Sequence, residues 1–149
     1  MGHAVHPNFP SRHQELHMPA LNGGVVIKTN AKQRYATDAI GTFLIRKLIE
    51  KTGGSVQEFE VRNDMACGST IGKSLSSMLR REVGMRLIRH FVGPGLSKIG
   101  MRTVDVGTPM LSMHSIRETA GSADVDSYIN LFTAFFEGFA KLDQSVNFE

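Results

Sequence analysis

The stretch Val61-Arg-Asn-Asp-Met-Ala-Cys-Gly-Ser-Thr-Ile-Gly72 separates two hydrophobic periods, and its reading decides the fold. Upstream, Val56, Phe59 and Val61 belong to an alternating run, with Phe59 and Val61 two apart on one strand face. Downstream, Ile71, Leu75, Met78 and Leu79 recur at the three-to-four spacing of an amphipathic helix. The segment therefore reads as strand, polar loop, helix. In an open α/β sheet, ligands bind beyond the carboxyl ends of strands, where the first helical N–H groups are unpaired. Gly68 and Gly72 permit close backbone approach there. The same spacing also suits an ordinary βα turn with Ser69 or Thr70 as N-cap, and the residues alone leave both readings open.

Working outward, Val25-Val-Ile-Lys-Thr29 predicts a short buried strand with Lys28 at its carboxyl end. A lysine there is ordinarily solvated; at the ligand edge of a sheet it also serves as a fixed positive charge for an acidic group. Ala36 to Thr52 predicts a helix with Ile40, Phe43, Leu44 and Leu48 on its buried stripe and Gly53-Gly54 as the stop. Met101 to Gly107 predicts another strand, with Thr103 alternating with Asp105 and Val104 with Val106. The polar loop after it places His114 just before a short helical turn. Asp126 to Leu142 predicts a closing helix, with start signals from Ser122 and a core-facing stripe of Tyr128, Leu131, Phe132, Phe135, Phe136 and Phe139. At the other end, Pro7 and Pro10 exclude a helix, so His3 and His6 lie in a loop. Two His three apart suit metal ligation or proton transfer, yet without a helix to fix them such a pair is more often hydrogen-bonded loop residues. His13 and His17 read as surface positions. The whole is a mixed α/β unit with His3, Lys28, the Cys67 loop and His114 at strand ends.

Composition narrows the class. The 149 residues suffice for one domain with a substantial core. A single cysteine, Cys67, excludes an internal disulfide and a Cys-rich metal site, and it suits an intracellular chain. No apolar run is long enough to span a bilayer, and the first residues lack a secretory core, so no membrane partner is expected. Met1-Gly2 resembles a myristoylation start, but His6 stands where that motif needs Ser or Thr. The net charge of +3 arises in residues 80–99, where Arg80, Arg81, Arg86, Arg89 and Lys98 face Glu82 alone. Aromatic interleaving there is limited to Phe91, so a solvated basic face is expected rather than a nucleic-acid site.

Four segments taken in order carry a specific likeness: His3-Ala-Val-His-Pro-Asn8, Lys32-Gln-Arg-Tyr-Ala-Thr37, Val61 to Gly72, and Leu111-Ser-Met-His-Ser-Ile-Arg-Glu118. Together they closely resemble the aspartyl aminopeptidases, the M18 family of metallopeptidases, from residue 2 to about residue 142, matching only the carboxyl-terminal part of that family's chain. The resemblance implies the carboxyl-terminal half of a zinc-exopeptidase-type catalytic domain, a mixed sheet with flanking helices. It implies a cytosolic, homo-oligomeric hydrolase that removes Asp or Glu from peptide amino termini at a dinuclear zinc centre. Within it, His114 matches a metal ligand, His3 a residue contacting substrate near the reacting carbonyl, and Lys28 and Tyr35 the pocket for an acidic side chain.

Two departures shape what this chain is expected to do. Counting back from His3, the family's metal-ligating aspartate would fall immediately before Met1. The other ligands, the catalytic glutamate and the dimerisation region come from the family's earlier portion, so the expectation is a partial catalytic domain, inactive alone, with no general base of its own. A single imidazole does not hold two zinc ions against water. The second departure is an insertion of about twenty residues, 80–99, between the Ile71 helix and the Thr103 strand. A non-catalytic binding or assembly module derived from the family, using this basic segment, is the alternative reading.

Overall fold

The computed structural model describes residues 2–31, 35–65 and 102–146. The Cys67 loop, the helix expected from Ile71 and the 80–99 insertion lie outside them.

One strand organises the rest. In Val25–Thr29 (β2), Val25, Val26 and Ile27 are almost wholly inaccessible, so both faces of the strand are covered. Its neighbours are Val56–Glu60 (β3), parallel, and Val106–Gly107 (β4), antiparallel, giving the order β3-β2-β4. The crossover from β2 to β3 is the helix Ala39–Lys51 (α1), as a parallel pair requires. Asp38 caps it, Oδ1 accepting the Gly41 N–H at 2.6 Å. Gly53 ends it at φ +68°, a left-handed turn that glycine adopts at no steric cost.

The period of β2 assigns its two faces. Val25 and Ile27 join Ile45, Leu48 and Ile49 of α1 and Leu131 of the long helix Ser122–Ser145 (α2) in the main core. Val26 points the other way, into a second cluster with Tyr35, Phe59 and Val61. Over that second face lies a smaller sheet built from Gly2–His3 (β1), Pro109–Leu111 (β5) and Thr119–Ala120 (β6) in the order β1-β5-β6. Gly2 permits the approach: a Cβ there would stand 3.3 Å from Val26 Cγ1 and 3.9 Å from Lys28 Cε.

α2 is locked to the start of β2 by a reciprocal clasp. Asp124, 1% exposed, accepts the Asn22 N–H on Oδ2 at 2.7 Å and the Gly24 N–H on Oδ1 at 3.0 Å. Asn22 Oδ1 in turn accepts the Ala123 N–H at 3.1 Å, satisfying an unpaired donor of the helix's first turn.

The structure corrects several expectations. His3 lies on a strand, β1, rather than in a loop, because its neighbours Gly2 and Ala4 both donate to the β5 side, to Thr108 O and Met110 O. The buried stripe of α1 is Leu44, Ile45, Leu48 and Ile49, while Phe43 is 47% exposed and Ile40 half-buried; α2 fixes that rotation by covering the helix from its own side. Of the expected strand from Met101, the described part is strand at Val106–Gly107, with Asp105 O also accepting the Lys28 N–H at 2.9 Å. The aromatic stripe of α2 splits: Tyr128, Phe135 and Phe139 pack on the core, whereas Phe132 and Phe136 are 45% and 81% exposed. Two successive turns, not a helical one, follow Leu111 and close a β5–β6 hairpin. His13 is no surface residue, and His17 is half-buried between Glu58, 2.7 Å from Nε2, and Glu60, 3.4 Å from Nδ1.

Candidate functional site

The second face of β2 assembles residues from distant parts of the sequence. Lys28 pairs in register with Phe59 of β3, so both side chains emerge on the side away from the helices. Lys28 is 4% exposed, and its Nζ stands 5.6 Å from the centroid of the Tyr35 ring, within the range of a cation–π contact. Tyr35 is buried and meets Phe59 edge-on, centroids 6.4 Å apart.

Two imidazoles approach the same phenyl ring. His13 meets Phe59 edge-on at 5.4 Å, and His3 lies 6.4 Å from it at a tilt of 38°. Burial lowers the pKa of His3, and the charges of His13, His114, Lys28 and Arg12 lower it further, in that order. Burial also lowers that of His13, partly offset by the backbone of His3. Neither ring nitrogen of His13 makes a hydrogen bond of ordinary geometry, although both are buried. Both shifts favour the neutral imidazole, and the charge of Lys28 contributes to that of His3. Both folded pKa values lie below the ordinary 6.5, so the unfolded chain binds protons first as pH falls. Their contribution to stability is complete above 6.5 and is lost as pH falls through 6.5 towards the folded values. The urea midpoint is expected to drop between pH 7.5 and 5.5, and His13→Gln is expected to flatten that dependence; a midpoint equally pH-dependent in the variant would contradict it.

His114 reaches the site from the β5–β6 hairpin. It is exposed and sits at φ +69°, two residues after Ser112 at φ +55°. Two non-glycine residues in the left-handed region within one turn cost of order 1 kcal/mol each, and such positions persist where the surroundings hold them. The Ser115 N–H to Ser112 O bond at 3.0 Å closes the turn around His114, and the His114 N–H donates to Glu118 Oε1.

His3, Lys28 and Tyr35 are therefore brought together around Phe59, with His114 near enough to act electrostatically on His3. The Cys67 loop falls outside the described residues. His13 was missed because its place depends on a bridge to Val61 that no local spacing reveals. Among the described residues no group of three or more His, Cys, Asp or Glu side chains is placed to hold a metal. An exposed imidazole on a fixed turn suits one ligand of a zinc site, so His114 fits as a single donor. No helix among the described residues is long and apolar enough to cross a membrane.

Comparison with known proteins supplies a frame for this arrangement. The family described as aminopeptidase I zinc metalloprotease (M18) matches residues 1–88 and 91–136. The aspartyl aminopeptidase of Dictyostelium discoideum is 47% identical over 143 residues, 96% of this chain and 25% of that protein. Among solved structures, the cryo-EM structure of the Ape4 and Nbr1 complex superposes with a TM-score of 0.78 at 42% identity, over 99% of this chain and 24% of the other. The mApe1 dodecamer of Saccharomyces cerevisiae does so at 0.71 and 31%, over 99% and 28%. The chain spans about a quarter of the length of the curated relatives it matches.

Proposed function

The chain belongs to the M18 family of aminopeptidase I zinc metalloproteases, and we propose from that membership that it forms the acid-recognition side of an aspartyl aminopeptidase site. The reaction is hydrolytic removal of amino-terminal Asp or Glu from peptides. The observation that carries this reading is the buried Lys28 beside Tyr35, on the same sheet face as Phe59, against whose ring His3 and His13 lie. A substrate carboxylate leaving water needs a cationic partner already fixed in place, and a lysine held within a sheet loses little further freedom on meeting it.

In this reading Lys28 binds the acidic side chain, the Tyr35 hydroxyl adds a hydrogen bond, and His3 contacts the substrate near the scissile carbonyl as a neutral donor. His114 supplies one imidazole to a zinc centre, dinuclear in this proposal, whose other donors and general base come from residues outside those described. Bound zinc would acidify water and polarise the carbonyl. A homo-oligomeric enzyme in the cytoplasm completes the proposal, supported by the dodecamer among its structural relatives and by the single cysteine.

The test is direct. The purified 149-residue chain is expected to release no aspartate from an acidic-terminal peptide, even with added zinc. The same chain joined to the preceding portion of an M18 relative is expected to do so, and to lose turnover with His114→Ala. Zinc-dependent turnover by the 149 residues alone would refute the need for further donors. A joined enzyme that is active and indifferent to His114→Ala would refute the ligand assignment.

A further inference from the structure

The hairpin that carries His114 holds a carboxylate with no part in the function proposed above. β5 and β6 pair antiparallel, Met110 with Ala120 and Leu111 with Thr119, so residues 112–118 form the loop between them. Glu118 is its last residue, anchored by the ladder that begins one position later. Its side chain turns back across the loop, and Oε1 accepts the backbone N–H of His114. The rest of the loop closes on itself through Ser115 N–H to Ser112 O, 3.0 Å, Arg117 N–H to Ser115 Oγ, 3.0 Å, and the Thr119 hydroxyl to Arg117 O, 3.3 Å. Within this set Glu118 supplies the bond to His114 itself, whose backbone stands at φ +69°.

We propose that Glu118 is the positioning residue for His114, its carboxylate holding the His114 backbone in the left-handed conformation that sets the direction of the imidazole. The physical need is plain. A histidine in the left-handed region reverts to extended or right-handed backbone unless something holds it, and either change swings the Cα–Cβ bond away from its present direction. A side-chain oxygen that accepts the amide N–H opposes that reversion. Because Glu118 is exposed, its charge is screened, and the effect comes from geometry rather than from long-range field. Glutamine retains an acceptor oxygen at the same reach, so Glu118→Gln should preserve the turn that Glu118→Ala releases. The consequence for a metal rests on the function proposed above, whereas the positioning itself does not.

Two measurements test the idea separately. In the isotope-labelled 149-residue chain, amide hydrogen exchange at His114 is expected to be at least about tenfold faster in Glu118→Ala than in the parent, with Glu118→Gln close to the parent and exchange in β2 and α1 unchanged. In the chain joined to the preceding portion of an M18 relative, Glu118→Ala is expected to weaken zinc retention against a chelator by about 10–100-fold, as loss of a ligand's supporting partner does, with Glu118→Gln again near the parent. Equal His114 exchange in parent and Glu118→Ala would overturn the proposal whatever the activity. So would a Gln variant as impaired as the Ala variant. If exchange responds as expected but the joined parent binds no zinc, the positioning role stands and the metal-donor reading of His114 fails.

Discussion

In the enzyme completed by an M18 relative's preceding portion, Lys28→Met is expected to lower kcat/KM for an Asp-terminated peptide by at least about tenfold, equivalent to roughly 1.4 kcal/mol. Turnover of an Ala-terminated peptide should change little. Methionine keeps the unbranched stem that packs under Gly2 and beside Phe59, and removes only the charge. Truncating one partner of a buried charge pair typically costs about 2–5 kcal/mol, so the tenfold figure is a lower bound. The control lies in the comparison of substrates. If Asp and Ala peptides lost activity equally, Lys28 would be holding the second face of the sheet together rather than reading a carboxylate. Stability measured alongside separates these outcomes further, since a structural lysine would lower the urea midpoint as well.

Asp124→Ala is expected to destabilise the chain by about 2–3 kcal/mol, because it leaves the buried Gly24 N–H and the part-buried Asn22 N–H without their acceptor. Asp124→Asn keeps one acceptor oxygen and should cost less. Asn22→Ala removes the bond to the Ala123 N–H and places alanine at φ +60°, and should cost about 1–2 kcal/mol. The double variant is expected to fall short of the sum, since both side chains serve one junction. Urea midpoints of the parent and the four variants decide the matter. An Asp124→Ala protein within about 0.5 kcal/mol of the parent would mean that the clasp contributes nothing net.

The parts of this fold legible in the sequence are those whose period is set by one element alone. β2, the existence of α1 with its Gly53 stop, Phe59 and Val61 on one strand face, and the existence of α2 all follow from local spacing, although α2 runs Ser122–Ser145 where Asp126 to Leu142 is expected. What was not legible depends on a partner. Lys28 is buried because β1 lies across its face, and nothing near Val25–Thr29 announces a strand formed by Gly2–His3. The rotation of α1, which leaves Phe43 exposed, is decided by where α2 docks. Phe132 and Phe136 share the helical spacing of their core neighbours but fall just past the edge of the contact. Likewise, the residues around His114 announce a turn, while its left-handed backbone depends on Glu118 reaching back across the loop.

The clasp between Asn22–Gly24 and Asp124 joins positions 100 and 102 residues apart. Order of synthesis therefore matters. At about 5–20 residues per second, roughly 5–20 s separate the emergence of β2 from that of α2. Through that interval Val25 and Ile27 lack Leu131, and an apolar strand with unpaired edges is what other chains add to. The non-local closure also comes late in refolding from denaturant, because loop entropy is lost before the contact returns anything. A chaperone that shelters β2 until α2 arrives would raise the yield of folded chain without touching its final stability.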